Sequence, residues 1–293
     1  MLGLAKTGGD VKDFQGRVAV VTGAASGIGR ALAARFAAEG MRLVLADVEP
    51  GALAAAAREL EAGGCEVLAV ETDVSRADQV EALARRTLAA FGAVHIVCNN
   101  AGVFTGGTSW EAPLADYEWV MGVNLWGVIH GIHSFVPILL AQGGEGHVVN
   151  TASMAAVTTM PYAGIYHMSK HAVLALSECL HHELVLRGSQ VRVSALCPEL
   201  VATHIDTAER NRPAHLRHEP PASPERELVQ QAIAQGVAGG TPPAKIAERV
   251  LAAIREQRFY VLSEDAWRRS AETRSEDIRL ARNPTLAPPV ASS

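Results

Sequence analysis

RVAVVTGAASGIG, residues 17–29, runs a β-branched apolar burst straight into a glycine-rich turn. The RALAARFAAEG that follows, residues 30–40, carries apolar residues at helical spacing and stops at Gly40. Strand, tight turn and helix in that order predict a phosphate-binding unit of an α/β sheet. Gly23, Gly27 and Gly29 let the backbone turn, let a pyrophosphate approach and let the helix pack close. The helix N-terminus then offers amide donors to the anion, with Ser26 and Ile28 completing the turn.

The same rhythm repeats downstream. Strand-like runs cover residues 41–47, 66–73, 94–100, 146–153 and 190–198, with helices expected at 51–62, 77–91, 114–139 and 162–187. Nearly continuous apolar strands alternating with helices define a Rossmann-type, doubly wound parallel sheet in a three-layer α/β/α sandwich. An amphipathic helix near 242–256 leads to RFYVL at 258–262, which makes about seven strands. Residues 199–225 break the pattern with Pro213, Pro220, Pro221 and Pro224 amid His and Arg, and read as a loop or short-helix excursion suited to a substrate lid. The whole of 1–293 reads as one catalytic domain, with 263–293 a C-terminal extension whose last ten residues are expected to be mobile.

Composition removes several classes of function. The 293 residues carry 26 Lys and Arg against 31 Asp and Glu, a net charge of −5, so no bulk positive field exists to hold nucleic acid. The four cysteines, Cys65, Cys98, Cys179 and Cys197, match no paired metal-ligand spacing and read as reduced thiols. The N-terminal MLGLAKTGGDVKDFQG is too polar for a signal peptide and no later run reads as a membrane span, which points to a cytoplasmic protein without a membrane partner. His167 and His171 can share a helical face, yet nearby carboxylates complete no ligand set, and no metal is expected.

Asp47 ends the second strand, 18 residues beyond Gly29, where a carboxylate accepts both hydroxyls of an adenine ribose. A 2′-phosphate there would meet like charge, which favours NAD over NADP. Asp73 ends the third strand and can accept from an adenine amino group, with Val74 against the ring, or cap the next helix, and the two roles can coexist. Asn100, Ala101 and Gly102 end the fourth strand in small residues that let backbone pass under a cofactor. Tyr166 and Lys170 are four apart in a helix-forming segment, so phenol and ammonium share a face, and a neighbouring cation favours the phenolate. Ser153, 13 residues before Tyr166, can donate to a substrate oxygen, and Asn124 can hold a water linking Lys170 to solvent.

TGAASGIG at 22–29, Asp73, NNAG at 99–102, Asn124, Ser153 and YHMSK at 166–170 together resemble the classical short-chain dehydrogenase/reductase family over residues 16–262. The resemblance implies an NAD(P)-dependent oxidoreductase with Asn124, Ser153, Tyr166 and Lys170 as its tetrad. Tyr166 would be the acid/base, Ser153 the donor to the substrate oxygen, Lys170 a ribose ligand and activator of Tyr166, and Asn124 the organiser of a relay water. It also implies hydride transfer on the 4-pro-S face, a homodimer or homotetramer built on the helices near 114–139 and 162–187, and nicotinamide contacts from Pro198 and Thr203. Where the family usually has Pro-Gly after the sixth strand, this chain has Pro198-Glu199, and the loss of glycine predicts an altered backbone path there.

Phe104, Trp110, Met154, Val157, Met160 and Tyr162 are candidate pocket residues and argue for a largely apolar secondary alcohol or ketone as substrate. Arg210, Arg212, His215, Arg217 and His218 read as a solvated surface run. Two alternatives remain open on the residues: an NADP-preferring carbonyl reductase, and a silent NAD-binding scaffold or redox sensor to which Glu199 points.

Overall fold

Seven strands, β1 (Val18–Thr22), β2 (Arg42–Asp47), β3 (Val67–Glu71), β4 (Ile96–Asn99), β5 (Gly146–Thr151), β6 (Val191–Cys197) and β7 (Tyr260–Leu262), form one sheet. All pair in parallel in the order β3-β2-β1-β4-β5-β6-β7, with Val20 aligned to Val44 on one side and Val97 on the other. The chain builds outward from β1 to β3, then returns to lay β4 beside β1. That reversal opens a crevice at the carboxyl ends of β1 and β4, the place where such sheets bind ligands. This computed structural model describes residues 13–219, 223–262 and 265–287. The first 12 residues and the last six, and with them parts of the leader reading and of the stretch expected to be mobile, lie outside the described residues.

Every residue of β1 is buried, as a strand covered on both faces requires. One face packs on α1 (Gly27–Ala38) and α8 (Pro243–Arg255), through Leu32, Phe36, Leu45, Ile246 and Val250. The other packs on α3 (Ala77–Phe91), α5 (Gly127–Ala141) and α6 (Gly164–Leu186), through Leu83, Phe135, Leu139, Leu180 and Leu184. Phe36 and Phe135 are almost wholly buried, and truncating either to alanine would cost about 3–5 kcal/mol. Helix α2 (Pro50–Ala62) starts with Pro50 in its first turn, where a missing amide costs nothing.

Two elements differ from the sequence expectation. The helix expected over 114–139 is α4 (Leu114–Met121), a π-helical turn at Gly122–Trp126, then α5. The π turn carries Asn124, whose inward amide binds the Val103 backbone, so the interruption coincides with a buried polar anchor. By length and composition the rod Leu114–Ala141 could cross a membrane, although no run of that kind stood out in the sequence; here its α5 part packs on α3, β4 and β5. The second difference is α7 (Pro224–Ala238), where the sequence reading ended its excursion at 225. Ser223 caps this helix by accepting from the Arg226 amide, Pro224 opens it, and Glu225 and Glu227 lie in its first turn, a legible helix start that the surrounding prolines obscured. Within the excursion the chain forms two 3₁₀ segments, Ile205–Asn211 and Ala214–Leu216. The C-terminal extension contains α9 (Asp265–Arg279).

Candidate active site

The turn after β1 is shaped by space as much as by torsion. Gly23 and Gly27 have φ of +65° and +52°, and a Cβ on Gly27 would lie 2.9 Å from the Thr203 methyl. A Cβ on Gly29 would overlap the Gly23 carbonyl, so helix and strand close up only with glycine there. Ser26 occupies the α1 N-cap without using its hydroxyl on the helix. Asp47 is buried; its Oδ2 accepts from the Ala25 amide at 2.9 Å and its Oδ1 from the Glu49 amide at 3.0 Å. Burial raises the carboxyl above its ordinary value while these amides pull the other way. Each oxygen keeps a second lone pair for a ribose hydroxyl.

Asp73 does not cap α3, whose N-cap is Arg76; its Oδ1 instead takes the Ser75 amide and hydroxyl at 2.9 and 2.7 Å. Thr22, missed in the sequence, organises the opposite wall: its hydroxyl accepts from the amides of Asn100 at 2.9 Å and Ala101 at 3.1 Å. Gly23, Ser26, Gly27, Ile28, Asp47, Asp73, Val74, Asn100, Ala101, Gly102, Tyr166, Lys170, Pro198 and Thr203 all line one continuous cleft.

Tyr166 and Lys170 lie one turn apart on α6, as their spacing requires. Lys170 is buried, donates to the Thr151 carbonyl at 2.9 Å, and holds Nζ 5.7 Å from the centre of the Tyr166 ring. Burial pushes its ammonium down to about 8. The Tyr166 phenol is pushed up to about 12 by burial, against the lowering effect of a hydrogen bond with Ser153. Burial therefore governs the phenol, which without ligand is neutral at pH 7. Phe104 meets the Tyr166 ring edge-on, centroids 5.2 Å apart.

Asn124 is fully buried and holds the loop after β4: its Oδ1 accepts from Val103 N at 2.8 Å, and its Nδ2 donates to Val103 O at 3.0 Å and Ser169 Oγ at 3.1 Å. Both amide donors are thus committed to protein groups, which leaves the side chain no N–H for a relay water.

Glu199 has no positive φ, so the substitution of glycine leaves no strained residue. Its carboxylate takes the Thr241 hydroxyl at 2.7 Å and Arg249 at 2.8 and 3.1 Å, which anchors the start of the excursion to α8. Within the basic run Arg210, His215 and Arg217 are exposed as expected, and Arg212 is the exception. Arg212 is buried on Asp116, and Arg210 binds Glu49 at 2.9 Å, where Asn211 also donates at 2.8 Å. Of the candidate pocket residues, Met154 is a core residue and Trp110 stands in solvent. Among the described residues no three His, Cys, Asp or Glu are placed to hold a metal ion; His167 and His171 each use Nδ1 on a backbone carbonyl.

A glycine turn, Asp47, Tyr166 and Lys170 gathered along one cleft at the mouth of a doubly wound sheet define a class, and comparison with known proteins agrees with it. The family model for short chain dehydrogenase matches residues 17–214, and the chain belongs to this family of oxidoreductases. It is similar to a short chain dehydrogenase/reductase from Burkholderia phymatum solved in complex with NAD, with 47% identity, 93% of this chain and 98% of that chain covered, and a TM-score of 0.92. It is 38% identical over 281 residues to a 1-deoxy-11-beta-hydroxypentalenate dehydrogenase of Streptomyces exfoliatus, covering 94% of this chain and 92% of the relative. A CLA biosynthesis dehydrogenase/reductase of Lactiplantibacillus plantarum is 31% identical over 273 residues, covering 92% and 95%.

Proposed function

We propose that this protein binds NAD in the cleft and transfers hydride between it and a largely apolar secondary alcohol or ketone. The observation that carries the reading is the buried Lys170 beneath the Tyr166 ring at one end of a cleft whose other end holds Asp47. The chain's residues fit the dinucleotide: the glycine turn has no room for side chains, Asp47 keeps lone pairs for the ribose, and the small Asn100–Gly102 segment forms the floor. NAD when bound supplies the hydride-accepting and hydride-donating carbon.

Tyr166 exchanges the hydroxyl proton with the substrate oxygen, Ser153 hydrogen-bonds that oxygen beside it, and the Lys170 charge, 5.7 Å from the ring centre, would favour the phenolate once cofactor is bound. Asp73 and Val74 would meet the adenine ring, and Thr203 and Pro198 the nicotinamide, a reading supported by their lining the same cleft. The similar NAD-bound structure supports NAD over NADP, as does the carboxylate of Asp47. A relative named for a hydroxypentalenate supports a substrate with an apolar skeleton.

Residues 199–225 serve as the substrate lid of a single catalytic domain. A homodimer or homotetramer through α5 and α6 is supported by exposed Trp126, in the π turn before α5, and exposed Met168 on α6. Free thiols accord with a cytoplasmic setting. The test follows absorbance at 340 nm with NAD or NADP and a panel of aliphatic, cyclic, aromatic and sterol secondary alcohols, with Tyr166→Phe as control. NAD-dependent turnover lost in Tyr166→Phe is expected; turnover unchanged in that variant would overturn the assigned base, and preference for NADP would overturn the cofactor.

A further inference from the structure

Asp116 in α4 is fully buried, and three basic side chains converge on it. Arg212 Nη2 lies 2.7 Å and His218 Nε2 2.9 Å from Oδ1, and Arg226 Nη1 lies 3.1 Å from Oδ2. Arg212 and His218 belong to the excursion, Arg226 to α7. The Arg212 guanidinium also lies 4.1 Å from the centre of the Trp119 ring and takes both oxygens of Glu209, at 2.6 and 2.7 Å. Two carboxylates thus balance two guanidinium groups, Asp116 and Arg212 shut away from water and Glu209 half exposed at the edge.

The cluster reaches the catalytic phenol through one more step. Arg226 Nη2 donates to the buried Thr105 hydroxyl at 3.0 Å. Thr105 follows Phe104, whose ring packs edge-on against Tyr166. Beside it a Cβ on Gly106 would overlap the Val229 side chain, so α7 lies directly on this loop. One carboxylate on α4 therefore sets the register of the excursion, of α7, and of the loop that touches the reacting tyrosine.

A buried ion cluster of this kind contributes little net stability over apolar packing, and its best-attested use is to fix one arrangement among several. We propose that Asp116 is a positioning residue for the substrate side of the site: it holds the 205–218 excursion and α7 over Phe104 and Tyr166, and so decides which alcohols and ketones reach the phenol. The inference rests on the hydride-transfer reading above, but its structural arm does not depend on turnover.

The experiment compares wild type, Asp116→Asn and Thr105→Val in the full chain. Hydrogen exchange is read over 205–219 and 224–238 and over the core strands, alongside NAD affinity and KM and kcat for an alcohol found in the panel. Removing one partner of a buried pair leaves Arg212 and Arg226 facing each other, so Asp116→Asn is expected to speed exchange in those two segments about 100-fold and leave β1 and β4 protected. If one molecule in ten then keeps the ordered arrangement, KM rises about tenfold, with NAD affinity held and kcat little changed. Thr105→Val keeps every charge and should raise KM about threefold by removing one hydrogen bond. Unchanged exchange in both segments overturns the proposal. Exchange that rises equally in the core strands, or a rise in KM accompanied by comparable losses of kcat and NAD affinity, shows a merely structural residue and overturns it as well. Should Asp116→Asn fail to fold, Thr105→Val decides: KM equal to wild type rejects the inference. Should no alcohol turn over, the hydride-transfer reading has failed and the exchange data alone decide the role of Asp116.

Discussion

The Lys170 ammonium donates to the Thr151 carbonyl at the end of β5 and lies beneath the Tyr166 ring, only 2% exposed at the wall of the cleft. A charge so placed is held for function at a cost to folding. Its proton is released near pH 8 in the folded chain, against an ordinary value of 10.5, a difference worth about 3 kcal/mol.

Lys170→Met is therefore expected to abolish turnover while stabilising the fold. Part of the gain is lost because the Thr151 carbonyl is left without its donor, so the net is about 1–2 kcal/mol at pH 7. Between about pH 8 and 10.5 the unfolded wild type binds the proton that the folded chain releases, so wild-type stability rises with pH there. The variant should lack that rise. Thermal melts at pH 7 and 9.5 check both statements, and a lower melting temperature for the variant at pH 7 would contradict the burial argument.

Tyr166 makes the opposite prediction for the two directions of reaction. Oxidation of an alcohol needs the phenolate, and burial places the phenol at about 12, so the oxidation rate should climb by up to about tenfold per pH unit through the neutral range. Reduction of a ketone needs the protonated phenol, which predominates throughout, and should be flat from pH 6 to 9. Initial rates in both directions across that range are the measurement. A flat oxidation profile would mean that bound cofactor and Lys170 together lower the phenol far below its value in the empty cleft.

Much of the fold was legible because burial on both faces leaves no choice of residue: β1, β2 and α3 lie within a residue or two of their expected bounds. The glycine turn, Asp47, Tyr166 and Lys170 were equally readable, since backbone torsion and helical spacing tie them to sequence. Asp116, Thr22 and Glu49 were not, because their partners lie far along the chain: Asp116 meets residues 96, 102 and 110 positions away. Side-chain networks of that kind have no period and no local signature. Asp73 shows the converse, a local polar turn whose reading as a helix cap was reasonable and whose helix begins four residues later.

Glu199→Gly tests whether the unusual glutamate is a defect or a fastening. No backbone strain exists for glycine to relieve, whereas the carboxylate binds Arg249 and Thr241 while only 13% exposed. Loss of these bonds together with added chain entropy should destabilise the protein by about 1–3 kcal/mol. Denaturant titration of the two proteins measures it; a gain in stability, or improved cofactor binding, would restore the view that glycine is the better residue at this position.

Glu49→Gln addresses how the cleft opens. Glu49 follows Asp47 by two residues, at the end of the cleft proposed for the ribose, and its Oε1 takes Arg210 and Asn211 from the excursion, so the two rims of the cleft are joined across its mouth. Burial raises the Glu49 carboxyl, but the bonds from Asn211 and Arg210 more than offset it and hold it below its usual value, so at pH 7 the clasp is ionic. Glutamine keeps an acceptor for both donors and removes only the charge. With both partners about one-third exposed, the charge is worth at most about 1 kcal/mol, or roughly fivefold in a rate. Dinucleotide release, followed by stopped-flow displacement, should therefore be up to about fivefold faster in the variant at low salt. In wild type, added salt screens the pair and speeds release, and the two proteins should converge near 1 M salt, where charges are screened beyond about 3 Å. Equal release rates at low salt would show that the clasp opens freely and that another contact holds the dinucleotide in place.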